Sequence, residues 1–156
     1  MYKSYLSLLI FVMTLSSESA DTNTRNIDSE FDLLVHKTST CGCCKKWVDH
    51  IEESGFAVKT QDHQSLEMIK DNLNIEAKYR SCHTAVSSKG YFFEGHVPSK
   101  YVLQFLSESN PNAIGLSVPG MPIGSPGMEI EGRFTPYDVL IHFKDGTSMV
   151  FAEVKK

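Results

Sequence analysis

The stretch Phe31-Asp32-Leu33-Leu34-Val35-His36, then Lys37-Thr38-Ser39-Thr40, then Cys41-Gly42-Cys43-Cys44-Lys45-Lys46-Trp47-Val48-Asp49-His50-Ile51-Glu52-Glu53 decides the fold. The first six residues form a short apolar run rich in strand formers, and the polar link after them ends it. From Cys43 to Glu53, Trp47, Val48 and Ile51 recur at helical spacing with charged residues between them, and Gly55 supplies a stop. A strand that enters a helix through a cysteine-bearing turn is a β-α unit with its reactive groups at the junction.

Further along, Phe56-Ala57-Val58-Lys59-Thr60 alternates as a strand does, and Ser65 to Leu73 places Leu66, Ile69 and Leu73 on one helical face. Cys82-His83-Thr84-Ala85-Val86 and Tyr91-Phe92-Phe93-Glu94-Gly95-His96 flank the turn-rich Ser87-Ser88-Lys89-Gly90 and read as a hairpin. A third helix is expected from Pro98, burying Val102, Phe105 and Leu106. The order β-α-β-α-β-β-α is complete by about Ser109, which predicts an α/β chain with a thioredoxin-like core. The segment from Asn110 to Gly132 is rich in Gly, Pro and Met, so it is expected to hold no regular helix or central strand and to lie as a loop over something or move freely. Tyr137–Phe143 and Ser148–Val154, joined by Lys144-Asp145-Gly146-Thr147, predict a C-terminal β-hairpin.

Upstream, Met1-Tyr2-Lys3-Ser4, an apolar run from Tyr5 to Leu15 and small polar residues up to Ala20 have the layout of a signal peptide, with Glu18 as its imperfection. The apolar run is too short to span a bilayer, which takes roughly 20 residues. The expected organisation is a signal peptide at 1–20, a flexible polar leader at 21–30 and one domain at 31–156, placed in the periplasm with no stable membrane insertion after cleavage. The chain of 156 residues is 41% hydrophobic and 22% charged, which suits one globular domain. Its net charge of −4 is unchanged by removing residues 1–20, and it lacks the basic surface that nucleic acid requires.

All four cysteines lie beyond the leader, and three fall within four residues. A structural disulfide framework spreads its cysteines, so the clustering points to metal or redox chemistry. Cys41 and Cys44 make a Cys-x-x-Cys pair where helix N–H groups stabilise thiolate, and Cys43 adds a third thiol that completes a trithiolate or traps a mixed disulfide. Cys82 opens the third strand, which such a fold lays beside the cysteine turn. No proline occurs in Arg80-Ser81-Cys82-His83-Thr84, where thioredoxin-like folds usually carry one for peptide binding. His83 and His96 are the imidazoles nearest the cluster in this order, whereas His36, His50, His63 and His142 fall in strand-end, helix-surface, loop and hairpin contexts. Met121 and Met128 sit in the Gly/Pro loop, where a thioether either fills a gap or serves as a soft ligand. Thiolate, thioether and imidazole together suit copper(I).

Cys41-Gly42-Cys43-Cys44 followed by Trp47, Ser81-Cys82-His83-Thr84-Ala85, Glu94-Gly95-His96-Val97-Pro98 and the run from Gly115 to Glu129 occur in one order, and together they resemble the CopG-type family of exported, thioredoxin-like metal-binding proteins associated with copper resistance. The resemblance spans roughly residues 31–154. It implies a periplasmic copper(I) protein in which Cys41, Cys43, Cys44 and Cys82, with neighbouring His83, His96, Met121 and Met128, hold copper as a multinuclear cluster, with copper ions and other periplasmic copper-handling proteins as partners. Two further readings stay open: a thiol or copper oxidoreductase using the Cys41/Cys44 couple, and a structural zinc site, for which adjacent Cys43 and Cys44 are awkward on one tetrahedral ion.

Overall fold

The computed structural model describes residues 32–156; the expected signal peptide at 1–20 and leader at 21–30 lie outside them. The elements run β1 (Leu33–Lys37), α1 (Gly42–Glu53), β2 (Val58–Asp62), α2 (Glu67–Asn72), a single 3-10 turn at Ala77–Tyr79, β3 (Thr84–Ser87), β4 (Phe92–Gly95), α3 (Ser99–Ser107), β5 (Ala113–Val118), β6 (Tyr137–Phe143) and β7 (Ser148–Val154). The β-α-β-α-β-β-α order read from the sequence is present, and the last two strands have the expected bounds. No helix among the described residues is long and apolar enough to cross a membrane.

One mixed sheet in the order β2-β1-β3-β4-β5-β6-β7 joins every strand. β1 pairs parallel to β2 and antiparallel to β3, β3 antiparallel to β4, and β4 parallel to β5. Trp47, Val48 and Ile51 of α1 and Val102 and Phe105 of α3 pack on Leu33, Val35, Ala85, Phe93 and Leu116 to form the core. The apolar spacing in both helices is therefore what it looks like in the sequence, one face buried against a sheet.

The strand β5 corrects the expectation that Asn110 to Gly132 holds no central strand. Ala113–Val118 contains no proline, and it lies between β4 and β6 as an interior strand. Gly115 is what the close pairing needs: a Cβ there would stand 2.2 Å from the Phe92 carbonyl oxygen, so only a residue without one fits. Averaging Gly and Pro over the whole segment hid a six-residue strand at its start. The rest, from Pro119 to Gly132, is an irregular but ordered loop, closed by Gly124 N–H donating to the Met128 carbonyl (2.9 Å), Met128 N–H to the Ser125 carbonyl (2.8 Å) and the Ser125 hydroxyl to the Pro122 carbonyl (2.7 Å).

A second correction concerns α2. The face read as Leu66, Ile69 and Leu73 is led in the structure by Leu66 and Lys70, the lysine only 2% exposed. Lys70 fits there because its ammonium donates to the Thr84 hydroxyl (2.9 Å) and forms an ion pair with the carboxylate of Glu94, which is 0% exposed. Burying a charge this deeply requires such a partner.

Candidate metal centre

Cys41 caps the N-terminus of α1, where its Sγ accepts the Cys44 N–H at 3.3 Å. β1 delivers this turn to the end of the sheet where β3 begins, so Cys82 and His83 arrive beside it. Cys41 and Cys44 are joined as a disulfide with Cα atoms 5.3 Å apart, and Cys43 and Cys82 are free thiols. Cys43 Sγ lies 3.5 Å from Cys41 Sγ and 3.9 Å from Cys82 Sγ. The donor atoms of Cys41, Cys43, Cys44 and Cys82 all fall within 4.8 Å of one another, and so do those of Cys82, His83 and His96. Cys82 belongs to both sets.

The two imidazoles are held differently. His96 Nδ1 meets the Pro126 carbonyl at 2.8 Å, and its Nε2 faces Cys82 Sγ at 3.1 Å. Donation from Nδ1–H to a backbone carbonyl fixes the tautomer and leaves Nε2 with a lone pair aimed at the sulfurs, as metal-binding histidines are prepared. His83 is wholly buried, with Nδ1 3.3 Å from Cys82 Sγ and Nε2 without any hydrogen-bond partner. Its ring is wedged between Trp47 (centroids 4.5 Å apart) and His96 (5.0 Å, edge to face). Trp47 is itself pinned, its indole N–H donating to the Val97 carbonyl at 2.8 Å.

Burial lowers the pKa of both imidazoles, that of His83 far below its usual value with help from neighbouring His96 and Lys70. Both rings are therefore neutral at pH 7 and keep a lone pair for a metal. Burial also pushes the Cys82 thiol up to about 12, and the nearby Cys43 adds to the rise. A metal ion binding there must displace that proton, so ligation is coupled to proton release. Sulfur and neutral imidazole donors around one shared thiol, with a buried imidazole nitrogen left unsatisfied, form a set that suits a soft metal and offers nothing to magnesium or calcium.

Behind these donors stands a buried polar group that the sequence reading missed. Glu94 accepts from the backbone N–H of Ser81 (2.6 Å), the Thr84 hydroxyl (2.6 Å) and the Lys70 ammonium. It thereby ties β4 and α2 to the residue preceding Cys82. A carboxylate inside the apolar run Tyr91-Phe92-Phe93-Glu94 and a lysine four residues after Leu66 were the available signals.

The Gly/Pro loop lies over the cysteine turn through backbone contacts. The Ser81 hydroxyl donates to the Gly120 carbonyl, and the Pro126 carbonyl meets His96. Gly127, at φ +85°, sits so close to α1 that a Cβ would stand 2.6 Å from the Cys43 carbonyl oxygen. Met121 is 50% exposed and Met128 half-buried. Among the remaining histidines, His50 accepts the Ser99 N–H at the start of α3 (3.0 Å), and His142 shares a 2.7 Å hydrogen bond with Ser117. These two serve the fold.

Residues 79–128 match a family described as "Protein of unknown function, DUF411". Two solved structures described as copper resistance protein CopG, forms 2 and 1, align with TM-scores of 0.75 and 0.74. Each is 38% identical to this chain and covers 80% of it, while the chain covers 98% and 97% of theirs. The chain belongs to the CopG family. The resemblance carried by the four sequence motifs is thus borne out, and the mixed α/β architecture is that of the solved CopG structures. No curated protein matches the chain. In this CopG-family chain the four cysteines and two of the six histidines converge at one end of the sheet.

Proposed function

We propose that the chain is a periplasmic copper(I)-binding protein of copper homeostasis, with copper as its cargo, held as a multinuclear thiolate-bridged cluster. The observation that carries this reading is the pair of donor sets sharing Cys82: four cysteine sulfurs on one side, Cys82 with two neutral imidazoles on the other. Copper(I) accepts thiolate and imidazole together, as zinc does, but adjacent Cys43 and Cys44 are awkward on one tetrahedral zinc and suit bridging between several copper(I) ions. Charge favours several ions over one. Four thiolates on a single copper(I) leave three negative charges in a partly buried place, whereas bridging more ions brings the site toward neutrality. Met121 and Met128 lie in the covering loop and belong to the proposal as thioether contacts or as shielding. The signal-peptide layout of residues 1–20 supports the periplasmic assignment, and osmotic-shock release of a chain beginning near residue 20 tests it.

The central test is anaerobic copper(I) titration of the fully reduced protein against a competing chelator, in parallel with Cys41→Ser, Cys43→Ser and Cys44→Ser. A hydroxyl is a poor ligand for a soft metal, so each variant should bind fewer coppers. Unchanged stoichiometry in all three would refute the cluster, and one tightly held zinc in place of copper would favour a structural tetrathiolate site.

The Cys41–Cys44 disulfide favours a second reading, a thiol or copper oxidoreductase using that couple. The absence of proline from Arg80 to Thr84 argues against general protein disulfide exchange. An insulin-reduction assay separates the two: turnover comparable to an ordinary thioredoxin supports the oxidoreductase.

A further inference from the structure

His36 and His63 stand apart from the cysteine cluster, and neither has a part in the function proposed above. His36 is the fourth residue of β1, and His63 follows the last residue of β2, which is the edge strand of the sheet. The two strands are parallel, so both side chains come to the same end of the sheet. There His36 Nδ1 and His63 Nε2 are 2.9 Å apart, with ring centroids 5.1 Å apart and planes tilted by 53°. Both residues are half-buried.

We propose that His36 and His63 form a second, sulfur-free metal site that chelates a borderline divalent cation of the copper(II) type in cis. Two nitrogens bound at about 2.0 Å to one ion at right angles lie about 2.8 Å apart, which is the spacing the pair already has. The distance is already right, and what remains is rotation of both rings so that their lone pairs converge on one ion. In the metal-free protein one shared proton lies between the two nitrogens. A tautomer shift through solvent moves the ring protons to His36 Nε2 and His63 Nδ1, freeing both facing lone pairs without net proton release. Beside the pair, Lys37 and Asp62 are register partners across the two strands and form a 2.6 Å ion pair. Both histidines are half-buried, so water can fill the remaining coordination positions.

Imidazole pairs of this kind prefer a divalent ion of tetragonal geometry, whereas the cysteine centre prefers a soft monovalent one. The two sites lie at the same end of the sheet, because β1 leads directly from His36 to the Cys41 turn. The assignment does not depend on the proposed cysteine function. The histidine pair contains no sulfur, so either site can fail without the other.

The test uses the full chain with Cys43→Ser and Cys82→Ser and the Cys41–Cys44 disulfide closed, which removes the free thiols that would reduce the probe. Copper(II) is titrated by calorimetry and followed by electron paramagnetic resonance, with His36→Gln and His63→Gln added separately. The expected result is copper(II) with two-nitrogen coupling at this pair, bound there at least tenfold more weakly in each glutamine variant. Equal affinity in all three proteins would overturn the proposal. Should the double serine chain fail to fold, the unaltered protein is titrated with zinc(II) while its histidine ring 1H–15N signals are observed. His36 and His63 should then move together at the same zinc concentration, and unperturbed signals for both would refute the site.

Discussion

Replacing Glu94 by Gln keeps the shape of the side chain and removes its charge. In the folded protein this leaves the Lys70 ammonium, 2% exposed, without a counter-charge while Thr84 and Ser81 lose a strong acceptor. Breaking one side of a buried pair costs about 3–5 kcal/mol, because the surviving charge stays desolvated. For a domain of this size that corresponds to a fall in Tm of roughly 10–20 °C, at about 4 °C per kcal/mol. Against a total stability of about 5–15 kcal/mol that cost is a large fraction. The decisive comparison is the double variant Lys70→Met with Glu94→Gln, which removes both charges and should recover more than half of the loss. Thermal and urea unfolding of the metal-free, disulfide-closed protein measure both. A Glu94→Gln cost below about 1 kcal/mol, or a double variant no more stable than the single one, would refute the claim that this ion pair supports the start of β3.

Three other outcomes follow from the same geometry. Gly127→Ala puts a Cβ against the Cys43 carbonyl at a positive φ, costing roughly 1–3 kcal/mol and lifting the loop; alkylation of Cys43 should quicken, and an unchanged rate together with an unchanged Tm would show that the loop does not seal the turn. Replacing Met121 and Met128 together by Leu keeps bulk and removes sulfur; weaker copper(I) binding would mark ligation, faster air oxidation alone would mark shielding, and no change in either would remove both residues from the site. The metal-free fold should also lose stability in mild acid. His36, His50, His83, His96 and His142 all have pKa values below 6.5 when folded, His142 down to about 4, mainly because of burial. Below pH 6.5 the unfolded chain therefore binds more protons than the native one, so stability is full above that pH and declines as pH falls toward the folded values. Burial raises the Glu94 carboxyl and opposes the trend. Melting curves between pH 8 and pH 5 with a flat or rising Tm would contradict this account.

Local patterning made most of the architecture legible. Trp47, Val48 and Ile51 announced α1, and the apolar runs on either side of the Asp145-Gly146 turn marked the bounds of β6 and β7. The cysteine cluster was legible because chemistry and sequence proximity coincide in Cys41-Gly42-Cys43-Cys44, and Cys82, His83 and His96 followed once the strand order was assumed. What escaped reading depends on partners distant in sequence. Gly115 lay in a segment read only by its Gly and Pro content, although the Phe92 carbonyl beside it requires a glycine in the strand, and Lys70 is buried because Glu94, 24 positions later, supplies its counter-charge. The orientation of His96 likewise depends on a carbonyl 30 residues away. None of these couplings has a period or a local composition to betray it.

Because β5 is an interior strand, the donors alone do not define the smallest piece of chain able to bind metal. A fragment ending at Ser109 would keep all four cysteines together with His83 and His96. It would also bare the hydrogen-bonding edge of β4, an invitation to intermolecular pairing, and remove Leu116, Val118, Val139 and Ile141 from the core. The Pro126 carbonyl that sets the His96 tautomer would be gone as well. Such a fragment has a full inventory of ligand atoms and no means of aiming them, so truncation down to the recognisable cysteine and histidine motifs should yield aggregates instead of a miniature binding domain.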